Sequence, residues 1–141
     1  MKNINELQIT ARYAETDMMG IIHHSVYPVW YEAARTEFIK MAGMTYTELE
    51  KGGIMLPLSE LNCKYFRPVK YEDVVTVQTR LSKLSFAKIE FSYRVMLDGQ
   101  IMASGSSLHG FVDAKTFRPV SLKKVRPELY EKLQEMTLSE W

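Results

Sequence analysis

Apolar and polar residues alternate through Leu7-Gln8-Ile9-Thr10-Ala11-Arg12-Tyr13, the period of a strand with one buried face. Over residues 26–42 the period lengthens. Val26, Trp30, Ala33, Ala34, Phe38, Met41 and Ala42 recur at three- and four-residue spacing, with Glu32, Arg35, Glu37 and Lys40 mostly elsewhere, which predicts an amphipathic helix. Ser25 is its expected N-cap, Pro28 fits a first turn and Gly43 closes the end. Thr45-Tyr46-Thr47-Glu48 reads as a capping box opening a short helix that Gly52-Gly53 stops. Four runs rich in β-branched and aromatic residues follow, at 55–66, 74–84, 86–97 and 101–112. Asp98-Gly99 between the last two predicts a tight hairpin, and Arg67-Pro68 a strand end or edge. A terminal helix is expected from Arg126-Pro127, with Leu129, Leu133 and Met136 on one side.

The order is thus β, α, short α, then about four antiparallel strands, an α+β layer with the main helix covering one sheet face. One helix cannot cover both faces and the edges of a five-stranded sheet, so a dimer is expected. At 141 residues the chain fits one domain, 1–141, long enough to need no disulfide or metal staple. The net charge of +1 gives no sign of a general polyanion binder, and no helix-turn-helix or RNA-binding motif argues for nucleic acid. Cys63 is the single cysteine, which excludes an internal disulfide and fits a reducing cytoplasm. The polar N-terminal stretch has no signal-peptide core, and no window approaches a membrane span.

Candidate chemistry concentrates between the first strand and the main helix, where Glu15, Asp17, Gly20, His23 and His24 fall together. An Asp before a Gly is by itself a turn former. Near a helix N-terminus the same carboxylate can act as general base or nucleophile, and unpaired N–H groups there can hold an oxyanion. His24 is expected to orient substrate or bond Asp17, whereas Glu15 reads as a solvated or salt-bridged carboxylate. His23, His24 and His109 have no metal-site spacing, and no metal is expected. Cys63 reads as structural, the nine methionines as adaptable apolar filler suited to an acyl pocket. Lys83 and Lys88, flanking a predicted turn, are candidates for meeting a phosphate. No P-loop or dinucleotide fingerprint occurs.

The stretch Tyr13-Ala14-Glu15-Thr16-Asp17-Met18-Met19-Gly20-Ile21-Ile22-His23-His24-Ser25-Val26-Tyr27, continued by Glu32-Ala33-Ala34-Arg35-Thr36-Glu37, closely resembles the signature of the 4-hydroxybenzoyl-CoA thioesterase-like family. Tyr65-Phe66-Arg67-Pro68 through Asp73 also resembles that family's strand-and-proline element. The resemblance implies a hotdog fold, a long antiparallel sheet around a central helix, assembled as a homodimer or homotetramer with sites at subunit interfaces. It implies an acyl-CoA substrate, no cofactor, and thioester hydrolysis by Asp17 as base or nucleophile, with His24 and Gly20 as motif residues. Backbone N–H groups around His24, Ser25 and Val26 would hold the carbonyl oxygen. Two departures stand out: Val26 replaces the family's common Asn, and Met18-Met19 replaces smaller residues. A non-catalytic hotdog binding acyl-CoA or an acyl-carrier protein is the alternative. A dehydratase acting through His24 is less favoured, because Asp17 sits where thioesterases place their base.

Overall fold

In the computed structural model, which describes residues 3–137 and 139–141, the chain runs β1 (Asn5–Thr10), a 3-10 turn (Tyr13–Glu15), α1 (Val26–Met41), α2 (Tyr46–Lys51), β2 (Ile54–Met55), β3 (Leu58–Tyr65), β4 (Val74–Leu84), β5 (Lys88–Leu97), β6 (Gln100–Gly110), β7 (Val112–Asp113), α3 (Leu122–Val125) and α4 (Pro127–Met136). Met1 and Lys2 of the polar N-terminal stretch lie outside the described residues. The long strands form one antiparallel sheet in the order β1-β4-β5-β6-β3. Alternation works as the sequence predicts: Val75, Val77 and Leu81 of β4 and Ile89, Phe91, Tyr93 and Val95 of β5 are buried. Asp98 (φ 50°) and Gly99 (φ 75°) both take the left-handed conformation that joins β5 to β6 in a tight turn. No helix among the described residues is long and apolar enough to cross a membrane.

α1 lies on the sheet, but rotated from the phase its small residues suggest. Tyr27, Trp30, Tyr31, Ala34, Phe38 and Ile39 are buried, while Ala33 and Met41 are exposed. Aromatic area decides the phase, because a tyrosine buries far more surface than an alanine. The Tyr31 ring stacks on Tyr93 with centroids 4.3 Å apart, and Phe38 meets Phe91 edge-on at 5.7 Å. Gly105 on β6 makes that stack possible: a Cβ there would sit 2.7 Å from the Tyr31 ring and collide with the Asn62 carbonyl.

Three local expectations change. Ser25 does not cap α1; its backbone is already helical, and its hydroxyl turns to His23. Thr45 does cap α2, accepting the Glu48 amide at 3.1 Å. The runs 55–66 and 101–112 are each interrupted, leaving β2 and β7 to pair as a small second sheet. Pro57, which has no N–H to give a ladder, stands at the first break. α3, which was not expected from sequence, precedes α4, where Tyr130, Leu133 and Met136 are buried.

β3 is an edge. One side pairs with β6, and among the described residues nothing pairs with the other. Leu58, Leu61 and Tyr65, with Phe66 just beyond, are exposed along it. A long apolar edge strand is a template for another chain.

Candidate active site

Residues 16–22 form a miniature hairpin that holds Asp17. Thr16 bridges Ile22, the Asp17 amide donates to the Ile21 carbonyl (2.8 Å), and the Gly20 amide donates to the Asp17 carbonyl (3.0 Å). Gly20 has φ +78° with open space around it, so its need is for conformation, not room. A second bridge, Ile21 to Lys70, and a bond from the Ile22 amide to the Val69 carbonyl (2.8 Å) tie the hairpin to the segment before β4. The Met19 amide donates to Asp17 Oδ1 at 2.8 Å. Asp17 Oδ2 has no partner among the described residues.

Of the two forms the sequence offers, solvated or salt-bridged, Glu15 takes the second: it is one of the few buried charged groups, 7% exposed, with the Arg12 guanidinium beside it. Its Oε1 accepts the Arg12 amide (2.8 Å), its Oε2 accepts the indole N–H of Trp30 on α1 (3.1 Å), and Arg12 approaches at 3.5 Å. Its carbonyl also accepts the His23 amide at 2.9 Å. One residue therefore fastens both ends of the hairpin to the central helix. Its Arg12 partner is local, whereas Trp30, which ties it to α1, is fifteen positions away.

His23 and His24 stack at 4.1 Å. His23 Nδ1 takes the Ser25 hydroxyl (2.7 Å) and the Ser25 amide (3.1 Å), while the Val26 amide donates to the His23 carbonyl (3.0 Å). Two of the three amides expected to face an oxyanion are thus engaged, and His24's alone has no partner among the described residues. The exposed His24 ring makes no hydrogen bond to Asp17. Its carbonyl accepts the Tyr65 hydroxyl at 2.9 Å, so the end of β3 holds the loop in place. Tyr65, with its ring edge-on to Tyr27 at 5.1 Å, was not among the expected site residues. Burial pushes the Tyr65 phenol up to about 12, so it stays a hydrogen-bond donor at neutral pH.

Asp17 and His24 line one cleft of about 350 Å³, walled by Ile22, Tyr27, Tyr65 and Phe66, with Arg67 at hand. Met19 joins its lining, while Met18 points fully into solvent. Lys83 and Lys88 are elsewhere. β4 begins beside the Thr10 end of β1, and Lys83 lies nine residues farther along it, about 30 Å at strand rise. His109, paired in register with Leu58 and Ile89, is likewise at the far end of the sheet.

A second polar group lies under α1. His109 is 1% exposed, and its Nδ1 faces the Leu56 carbonyl (3.2 Å), which fixes the proton on that nitrogen. Nε2 therefore accepts from Ser107 (2.8 Å), and Ser107 accepts in turn from Tyr93. Burial, and the Arg35 cation nearby, pull the imidazole down to about 4.

Comparison with known proteins gives the family. The family model for the thioesterase-like superfamily matches residues 11–133. The chain belongs to the thioesterase-like superfamily. Across 134 residues it is 34% identical to the Bacillus subtilis protein YneP, whose name assigns it to the acyl-CoA thioesterases, covering 92% of this chain and 97% of that one. A DHNA-CoA thioesterase structure from Staphylococcus aureus superposes with a TM-score of 0.91 at 32% identity, over 96% of this chain and 91% of that one. A Thermus thermophilus protein of undescribed role, TT1821, gives 0.87 at 36% identity, over 94% and 98%. The fold is the hotdog fold of this thioesterase family, with α1 as the helix enclosed by the sheet.

Proposed function

We propose that the chain hydrolyses an acyl-CoA thioester to a free acid and CoA at Asp17. The observation that carries this reading is the half-held carboxylate: one oxygen locked by the Met19 amide, the other unpartnered, in a cleft at the start of α1. The names of YneP and the Staphylococcus aureus relative support CoA thioesters as the substrate class. As a base, Oδ2 takes a proton from water while the water oxygen attacks the thioester carbon; the C–S bond then breaks and the thiolate leaves to gain a proton. As a nucleophile, Oδ2 attacks directly, the thiolate leaves, and water opens the resulting anhydride. In either course the His24 amide, helped by the positive end of α1, is the donor for the oxyanion. Ser25 and Val26 shape the turn through His23 instead.

The functional unit in this reading is a cytoplasmic homodimer joined along β3, free to pair into a homotetramer. Antiparallel β3 pairing about a two-fold axis sets the Leu58 end of one copy beside the Tyr65 end of the other. Lys83 and Lys88 of the partner subunit then come to the Asp17 end of the first copy, the route by which they reach a CoA phosphate. The experiment is a single turnover in ¹⁸O-labelled water, with thiol release followed for the parent and Asp17→Asn. Label found in Asp17 assigns the nucleophile role; label only in the acid, together with no acyl-enzyme trapped by hydroxylamine, assigns the base, because an anhydride opened at its acyl carbon also labels the acid alone. Tight acyl-CoA binding with no thiol release by the parent would replace this reading with a binding module.

A further inference from the structure

A second cavity of about 350 Å³ opens beside Arg35, on the face of α1 toward α2 and β2. Arg35 lies nine residues into α1 from Val26, about 14 Å along the axis from the helix start where Asp17 sits. The two cavities share no lining residue.

The groups facing this space do not satisfy one another. Arg35 is only 13% exposed, yet its single ion-pair contact among the described residues is a long one, 3.9 Å to Glu32, itself 73% exposed. A guanidinium withdrawn from water is costly unless it is paired and hydrogen-bonded. Beside it the Tyr46 hydroxyl is buried with no hydrogen-bond partner. Arg35 lies alongside that hydroxyl without completing a bond of normal geometry, and burial pushes the phenol up to about 12. The guanidinium thus lies against two neutral hydroxyls, Tyr46 and Tyr93, and among the described residues no carboxylate closer than Glu32 balances its charge. The surrounding wall is apolar: Met55, Leu56, Pro57 and Phe117. Glu32 and Glu50, the other charged groups of the cavity, are on exposed residues where water screens them.

We infer that this cavity binds an organic acid, its carboxylate taken by Arg35 and the Tyr46 hydroxyl and its apolar body lying against Met55, Leu56 and Phe117. A charge-assisted pair from a guanidinium and a phenol is the arrangement that fixes a carboxylate. The cavity shares no wall with the Asp17 cleft, and binding of an acid in it does not depend on the hydrolysis proposed there; only the choice between its two sources rests on that reading. Two sources share this chemistry: a free acid, and the far carboxylate of a dicarboxylic acyl group.

The test titrates the full-length protein by calorimetry with benzoate and hexanoate, against benzyl alcohol and hexanol as neutral matches. Expected are saturable binding of the acids, at least about tenfold weaker binding of the alcohols, and a loss of at least about tenfold in both Arg35→Gln and Tyr46→Phe. Tyr46→Phe should keep the parent's melting temperature, because the hydroxyl it removes bonds to nothing. That variant carries the test if Arg35→Gln fails to fold. Asp17→Asn should bind the acids as the parent does. Absence of saturation, equal binding of acids and alcohols, indifference to Tyr46→Phe, or loss of binding in Asp17→Asn would each overturn the assignment. A Michaelis constant raised by Arg35→Gln only for dicarboxylic acyl-CoAs would assign the site to substrate, and loss of inhibition by free acid would assign it to an effector.

Discussion

The Asp17 hairpin and the His109 seam are both polar, and they are built in opposite ways. The hairpin holds Asp17 with backbone hydrogen bonds between residues a few positions apart, at the surface. The seam holds Tyr93, Ser107 and His109 with side-chain bonds in the interior, where each hydroxyl has one direction to point. The first can lose the unpartnered Asp17 oxygen without loss of packing. The second cannot change protonation without breaking a chain of donors. In the proposed reading, chemistry and stability are carried by separate parts of one small fold.

Substitution should divide the two cleanly. Asp17→Asn keeps an oxygen for the Met19 amide, so its unfolding midpoint should stay near the parent's. Thiol release should fall by about three orders of magnitude or more, as for loss of a positioned base or nucleophile. In the seam the effect is on stability and depends on pH. Unfolded, His109 titrates near 6.5, and folded near 4, so between these values the unfolded chain binds the extra proton. Its contribution is complete above pH 6.5, is lost as the pH falls toward 4, and amounts to about 3 kcal/mol at most. Denaturant titrations of the parent and His109→Gln across that range should show a slope that the variant flattens.

Glu15→Gln should couple activity to stability, because Glu15 ties the hairpin to Trp30 on α1. A glutamine must aim an NH₂ at the Arg12 amide or at the indole, at a cost of about 2 kcal/mol. Activity should drop with stability, whereas Asp17→Asn separates them. The smallest effect expected is at Lys83 and Lys88. Changing both to Gln should raise the Michaelis constant for acyl-CoA a few-fold at low salt and vanish at high salt, with catalytic turnover unchanged. A Michaelis constant indifferent to both, at every ionic strength, removes them from the site.

Much of this fold was readable in the chain, because period-two alternation depends only on neighbours along a strand, and the Asp98-Gly99 turn depends only on its own two residues. Asp17, Gly20 and His24 do come together, and a short motif can specify a local hairpin. The phase of α1 was not readable: Tyr27 and Tyr31 count as polar or apolar according to what they meet, and Tyr31 meets Tyr93 sixty-two positions later. Glu15 and His109 escaped for the same reason, since their burial is imposed by Trp30 and by Tyr93 through Ser107. The Ser25 cap failed because a neighbouring imidazole competes for the same hydroxyl.

The hydroxyl of Tyr65 gives the open edge of β3 a second meaning. The strand that exposes its unpaired side to another chain ends in the side chain that grips the His24 carbonyl. In the dimer proposed above, the strand that joins the copies would also be the one that holds the loop around His24. If β3 joins two copies as proposed, activity that survives dilution to single chains would show that this one internal bond is enough to keep the loop in place.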